Sequence, residues 1–504
     1  MRGFTVTAVA CVLTLAGAPV AQQTDALKAA ADALGVANLK TLQFSGWGAN
    51  FTFGENFTPT DPWPRVNVKN YTALINYDTA SMRVELLREM GAVMPLGDGP
   101  PFTGEQRQIQ VVSGNDAWNV PTPPPGAPQS QPAAAVRPGS GGAGQPFDPS
   151  VERMLALWAT PHGFVKAAMA NKATTRTVPG GTEVSFTIGG RYKMMGIINP
   201  QHHVERVQTW VDHPLGGDVL VETVYRVYRD FNGVLFPASI VQRQGGFPTL
   251  DLTIVSVQPD PAADITVPEN VRGAQPPPVV VNSQKLADGV YVLRVGYNSL
   301  AVEMKDYIVL VDTPLGVAQT LAQFAKAREL IPNKPIRFVV TSHHHWDHIA
   351  GLRLAMDEGA TIVTHETNRA FLEKVATMPH TLVPDRLSAS KKTPKFLTFG
   401  DKGTQLTDGA RTVEVYEITP NEHALDFALV YLPKEKILAE ADAYNAQARP
   451  GELLTSVEVP KATALYNTIR RRKLDVQTIA PFHGGRTTDV AELMKALGLS
   501  TSSN

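Results

Sequence analysis

The stretch "TSHHHWDHIAG", Thr341 to Gly351, places four histidines and an aspartate within six consecutive residues. The whole chain of 504 residues has only 12 histidines, so this crowding restricts what can be built around it. Before it stands "IRFVVT", a continuous apolar and β-branched run of strand type, and after it "GLRLAMDEGA", a helix-type run. The polar residues therefore sit in a tight strand-to-helix loop that can turn His343, His345, Asp347 and His348 toward one point. Neutral imidazoles are good Zn²⁺ ligands, and a carboxylate compensates charge. A merely solvated loop would leave this spacing without a reason.

A metal site begun by one loop needs partners from elsewhere. His423 lies in "ITPNEHALDFALVYLP", between two strand-like runs. Asp442 closes the short strand pattern of "KILAEADAYNA", and His483 closes that of "TIAPFHGGRTTD". Each is a ligand-type residue at a strand exit, and strand ends of an α/β layered domain converge on one crevice. Taken singly, His483 reads equally well as a turn residue and Asp442 as a helix N-cap.

With Asp312 of "IVLVDTP" these landmarks stand in the order found in the metallo-β-lactamase fold superfamily, which the stretch from about Val279 to Leu499 resembles. The resemblance implies an αβ/βα sandwich with two metals in a cleft at one sheet edge. It assigns His343, His345 and His423 to the first metal, and Asp347, His348 and His483 to the second. Asp442 would bridge both, and Asp312 would shape the ligand loop without binding metal. Two Zn²⁺ ions are the expected cofactors, with Fe or Mn as alternatives. The implied chemistry is hydrolysis by a hydroxide held between the ions, with Asp347 orienting it and carrying its proton. An aspartate at 442 is typical of lactonases, thioesterases, phosphodiesterases and alkylsulfatases, whereas classical β-lactamases usually have cysteine or serine there. Ester, thioester or lactone hydrolysis of a small molecule is thus the leading expectation. β-Lactam hydrolysis, or sulfate- or phosphodiester hydrolysis, is the alternative. Glu422 departs from the glycine that many relatives carry before His423. His344 is expected to point away from the metals, toward a carbonyl, and Trp346 to pack or wall the cleft.

The rest of the chain reads differently. Residues 22–260 show short β-type runs such as "VNVKNYTALINYD" and "VLVETVYRVYRDF", separated by turn signals, and predict a mainly antiparallel sheet domain. Residues 121–149 are rich in Pro, Gly, Ala and Gln and are expected to be a disordered loop. A helical stretch with a break near Pro161 follows. Residues 261–278, again Pro-rich, are the expected linker to a hydrolase domain at 279–504. The overall fold class is α/β, with the sandwich preceded by the β domain. That β domain is large enough to bind a lipid or another apolar ligand, so a carrier with a structural metal domain is a further alternative. A structural zinc site, however, is normally closed by four ligands around one ion.

Residues 1–21, "MRGFTVTAVACVLTLAGAPVA", follow the pattern of a signal peptide, so a periplasmic or extracellular location is expected. Cys11 is the only cysteine, so the mature chain would have no disulfide and no thiolate. No later stretch approaches the length of a membrane span. Lys plus Arg (46) nearly equals Asp plus Glu (47), so nothing marks a nucleic-acid partner. Oligomeric state is not legible.

Overall fold

The computed structural model describes residues 20–91, 95–97, 104–122, 132–136, 147–446 and 451–500. The expected signal peptide lies outside the described residues except for its last two, which open the helix Val20–Ala33. Among the described residues no helix is long and apolar enough to cross a membrane.

Residues 41–259 form a 13-stranded sheet in which every pairing is antiparallel. Its first long strand, Thr41–Phe51, pairs with its last, Phe247–Pro259, and two meandering wings extend from that seam. Alternation sets the faces: along Ser81–Glu89, Met82, Val84, Leu86 and Arg88 are buried while the residues between them are only half-buried. The helix Pro149–Ala159 connects the wings and packs against strands of both. Asp148 caps it by accepting from Ser150 N at 3.0 Å. At the expected break, Thr160 caps a second helix, Pro161–Ala170, with Pro161 in its first turn. Leu155, Leu157, Phe164 and Val165 from these helices join Leu42, Phe44, Ile75 and Phe236 in one core.

Two Pro-rich segments contribute more order than their composition suggests. Within 121–149, Ala134–Ala135 pair with Asp116–Val120, and Val136 and Phe147 are buried. Positions 123–131 and 137–146 of that stretch lie outside the described residues. Between 261 and 278, Val271 is fully buried against Ile109, Val111 and Trp118 on the sheet's second face.

The C-terminal half holds two further sheets. The seven-stranded one runs from Asn282–Ala287 to Lys395–Phe399 and turns parallel from Ile308–Val311 onward. The five-stranded one runs from Thr404–Thr407 to Thr478–Pro481. Ile308–Val311 is buried at all four positions, as a strand covered on both faces requires. Val309, Val311 and Val340 of the first sheet meet Val415, Leu429 and Val430 of the second in a shared core. Helices Val317–Leu330, Leu352–Asp357 and Arg369–Thr377 contribute to the core on the other face of the first sheet.

The two halves are joined closely. Leu425 N donates to Phe57 O at 2.8 Å, and Gly97 N donates to Glu422 O at 2.8 Å. The Asp218 carboxylate accepts from Thr381 N and Leu382 N, each at 3.0 Å. Gly54 sits in the left-handed region (φ 71°) against Trp346, where an added Cβ would lie 3.0 Å from the indole.

Candidate metal centre

All the sequence-predicted residues but His423 stand just beyond a strand. Asp312 follows Ile308–Val311, the 343–348 loop follows Ile336–Val340, Asp442 follows Ile437–Glu440 and His483 follows Thr478–Pro481. His423 precedes Ala428–Leu432. Because 308–311 and 336–340 run parallel, as do 437–440 and 478–481, their carboxyl ends open on the same side.

The side chains meet. Asp442 is the common point: its Oδ2 lies 2.9 Å from His348 Nε2, 3.4 Å from His343 Nε2 and 3.5 Å from His423 Nε2. Its Oδ1 lies 3.0 Å from His483 Nε2. His343 and His423 approach through their Nε2 atoms at 3.1 Å, and His348 and His483 do so at 2.9 Å. Among the described residues, three groups bring ligand atoms within 4.8 Å of one another and could hold a metal ion: His343, His345, His423; His343, His348, Asp442; and Asp347, His348, His483. All but the half-buried His483 are buried.

Supporting bonds fix which nitrogens face inward. Asp312 is fully buried, with φ 62°. Its Oδ1 accepts from Ser342 N at 2.7 Å, and its Oδ2 accepts from Ser342 Oγ at 2.7 Å. Oδ2 also lies 3.0 Å from His348 Nδ1. A carboxylate can only accept, so His348 carries a proton on Nδ1, and Nε2 is the nitrogen turned toward Asp442. His345 is anchored from the other half of the molecule: its Nε2 lies 2.9 Å from the Asn56 carbonyl oxygen. The Tyr297 ring packs on His483 with centroids 3.9 Å apart.

The electrostatics follow from burial and crowding. Burial, then the neighbouring His345, His348 and His423, hold the His343 imidazole well below its ordinary range. Burial works against a charged His348, but the carboxylates of Asp442 and Asp347 and the bond to Asp312 raise it well above. Burial also opposes ionisation of Asp442, yet His483 and His348 outweigh it and keep the carboxyl well below the usual carboxylate range. Asp347 goes the other way, pushed up to about 8 by burial and by the charge of Glu55.

The donor set fits metal ions. Five imidazoles and two carboxylates converge, and imidazole nitrogens approach nose to nose at 2.9 and 3.1 Å. Asp347 Oδ1 and His345 Nδ1 are buried without a hydrogen-bond partner, as atoms kept for a cation would be. The centre opens into a chamber of about 740 Å³. Asp347, Asp442 and His483 line it together with Tyr71, Leu86 and Gln108 of the 13-stranded sheet.

His344 turns away from the cluster, as expected, but its partner is a carboxylate rather than a carbonyl: Nδ1 lies 2.6 Å from Asp426 Oδ1, and Asp426 is also bound by Asn368. Trp346 is buried beneath Gly54. Sequence reasoning missed Asp426, Tyr297, Glu55 and Asn56. Asp426 had a local signal, a carboxylate three positions after His423 in "NEHALDF". Glu55 and Asn56 had none, since they are distant along the chain.

Residues 293–483 match the family model described as the metallo-beta-lactamase superfamily. The resemblance read from the histidine loop is thus carried by the C-terminal half, which has the metallo-β-lactamase fold, and that supports a metal-dependent hydrolase. Solved structures with the same likeness include a metallo-beta-lactamase from Pontibacter korlensis, with 22% identity over 44% of this chain and 98% of that one, at a TM-score of 0.34. The DIM-1 metallo-beta-lactamase has 22% identity over 44% of this chain and 96% of its own, at 0.34. The FIM-1 enzyme from Pseudomonas aeruginosa, in its mono-zinc form, has 20% identity over 45% and 97%, at 0.35.

Proposed function

We propose that the protein is an exported dinuclear zinc hydrolase that cleaves an ester, thioester or lactone in a small molecule with an apolar body. The observation that carries this reading is the contact of one carboxylate, Asp442, with four imidazoles drawn from three separate segments. In this reading the two facing sheets with outer helices are an αβ/βα sandwich. His343, His345 and His423 would hold one ion and Asp347, His348 and His483 the other, with Asp442 available to both. When bound, a zinc pair supplies an activated water at neutral pH and a Lewis acid for the scissile carbonyl. The chain's own groups do the rest. Asp312 fixes the tautomer of His348. Asp347, on the chamber wall, takes the proton of the attacking water and passes it to the leaving oxygen or sulfur. Tyr71, Met82 and Leu86 offer apolar surface to the non-reacting part of the substrate, in a chamber whose size suits a small-molecule site.

The test is a panel of lactones, thioesters, carboxylic esters, phosphodiesters, sulfate esters and β-lactams offered to zinc-loaded protein. Turnover of the acyl compounds, lost in His343→Ala, is expected. No turnover of any of them at full zinc loading would end the proposal. The same chamber favours a second reading, a carrier of a lipid or other apolar molecule, whose signature would be co-purified lipid beside inert metal. Export rests on the pattern of residues 1–21, and N-terminal sequencing of the cell-fractionated protein tests it.

A further inference from the structure

The N-terminal sheet domain reaches into the centre through the turn that follows Thr41–Phe51. Asn56 and Glu55 approach opposite nitrogens of the same ring, that of His345. A backbone carbonyl can only accept, so the 2.9 Å contact with Asn56 O puts the proton of His345 on Nε2. In the neutral ring Nδ1 is then a bare lone pair. Glu55 Oε2 stands 3.1 Å from that lone pair, in a side chain only 10% exposed. Despite the distance, Nδ1 has no hydrogen-bond partner. A proton shared between the two atoms would draw them into hydrogen-bond alignment. Two buried lone-pair atoms in contact without a proton repel unless a cation binds both. Ligand atoms about 2.0–2.2 Å from one Zn²⁺ lie at this kind of separation from each other.

We propose that Glu55, carried by the N-terminal sheet domain, is an additional carboxylate ligand of the ion held by His343, His345 and His423. This rests on the metallohydrolase reading and extends it. The sheet domain becomes part of the metal centre as well as a wall of the chamber. Glu55 adds a negative charge to a site whose three histidines bring none. It closes on the chamber side, so the ion's geometry depends on how the two halves are seated.

The test uses the full chain, with Zn²⁺ and Co²⁺ as probes. In Glu55→Gln, zinc affinity measured by chelator competition should fall about 10- to 100-fold for one of two equivalents. The visible absorption of the Co²⁺ form should change. Unaltered affinity and an unaltered spectrum overturn the proposal, whatever happens to turnover. Should Glu55→Gln fail to fold, Glu55→Asp decides: the shorter carboxylate should shift the Co²⁺ spectrum of a folded protein, and an unshifted spectrum overturns the assignment. His343→Ala is run alongside. If it binds both zinc equivalents as tightly as the parent, the metallohydrolase reading itself fails, and the two failures are thereby told apart.

Discussion

Asp312→Asn isolates one hydrogen-bond network with little else disturbed. Asparagine tolerates the left-handed backbone of this position about as well as aspartate, so φ 62° costs nothing new. Asp312 accepts from Ser342 N and Ser342 Oγ and contacts His348 Nδ1. The amide retains one oxygen, which can still serve Ser342 N. Its NH₂ group then stands where Oδ2 stood. The Ser342 hydroxyl can rotate and accept, but the Nδ1–H of His348 faces another donor. His348 is relieved only by moving its proton to Nε2, the atom that faces Asp442 at 2.9 Å. A metal must then expel that proton. A hydrogen bond to a charged group is worth about 1.5–3 kcal/mol, so zinc affinity at the Asp347–His348–His483 group should fall about 10- to 150-fold. Zinc at His343–His345–His423 should change by less than about threefold. Equilibrium dialysis against graded chelators, with metal counted per chain, reads both equivalents. Two wild-type affinities, or selective loss from the three-histidine group, would refute the reasoning.

Other outcomes follow from the same structure. Asp347→Asn should lower turnover at least about 100-fold while the melting temperature stays within a few degrees, because this carboxyl is placed for proton transfer and not for packing; turnover near wild type refutes that role. Gly54→Ala puts a Cβ 3.0 Å from Trp346 on a backbone of φ 71°, so it should destabilise the protein by about 1–3 kcal/mol and weaken zinc binding through the displaced turn; unchanged stability and zinc affinity would count against the junction. Burial pushes His162 down to about 4 and His213 down to about 3, from 6.5. Below pH 6.5 the unfolded chain takes up protons that the native rings refuse. Their contribution is therefore complete above that pH and is lost as pH falls toward about 4 and about 3. For His162 the loss is about 3 kcal/mol, and His162→Gln should flatten the acid limb of stability against pH; an acid limb as steep as the parent's would contradict it.

The sequence was most legible where chemistry is local. His343, His345, Asp347 and His348 lie in one loop, and their spacing alone suggests a shared point. His423, Asp442 and His483 were readable because each ends or separates short apolar strands, and parallel strands deliver their ends to one edge. The antiparallel sheet was readable from alternation, but its seam was not: pairing Thr41–Phe51 with Phe247–Pro259 is a long-range choice that no local pattern encodes. Composition misled where few residues carry the packing. Val136, Phe147 and Val271 are single apolar side chains in Pro-rich surroundings, and each is buried. Asn56 meets His345 across 289 positions, in a contact created only when the two halves dock.

Anomalous diffraction at the zinc edge, from crystals of the zinc-loaded full chain, tests the central claim most directly. Two peaks about 3.5–4 Å apart, flanking Asp442, are expected. One should be bounded by His343, His345 and His423, and the other by Asp347, His348 and His483. A single peak away from Asp442, or none at full loading, would contradict it.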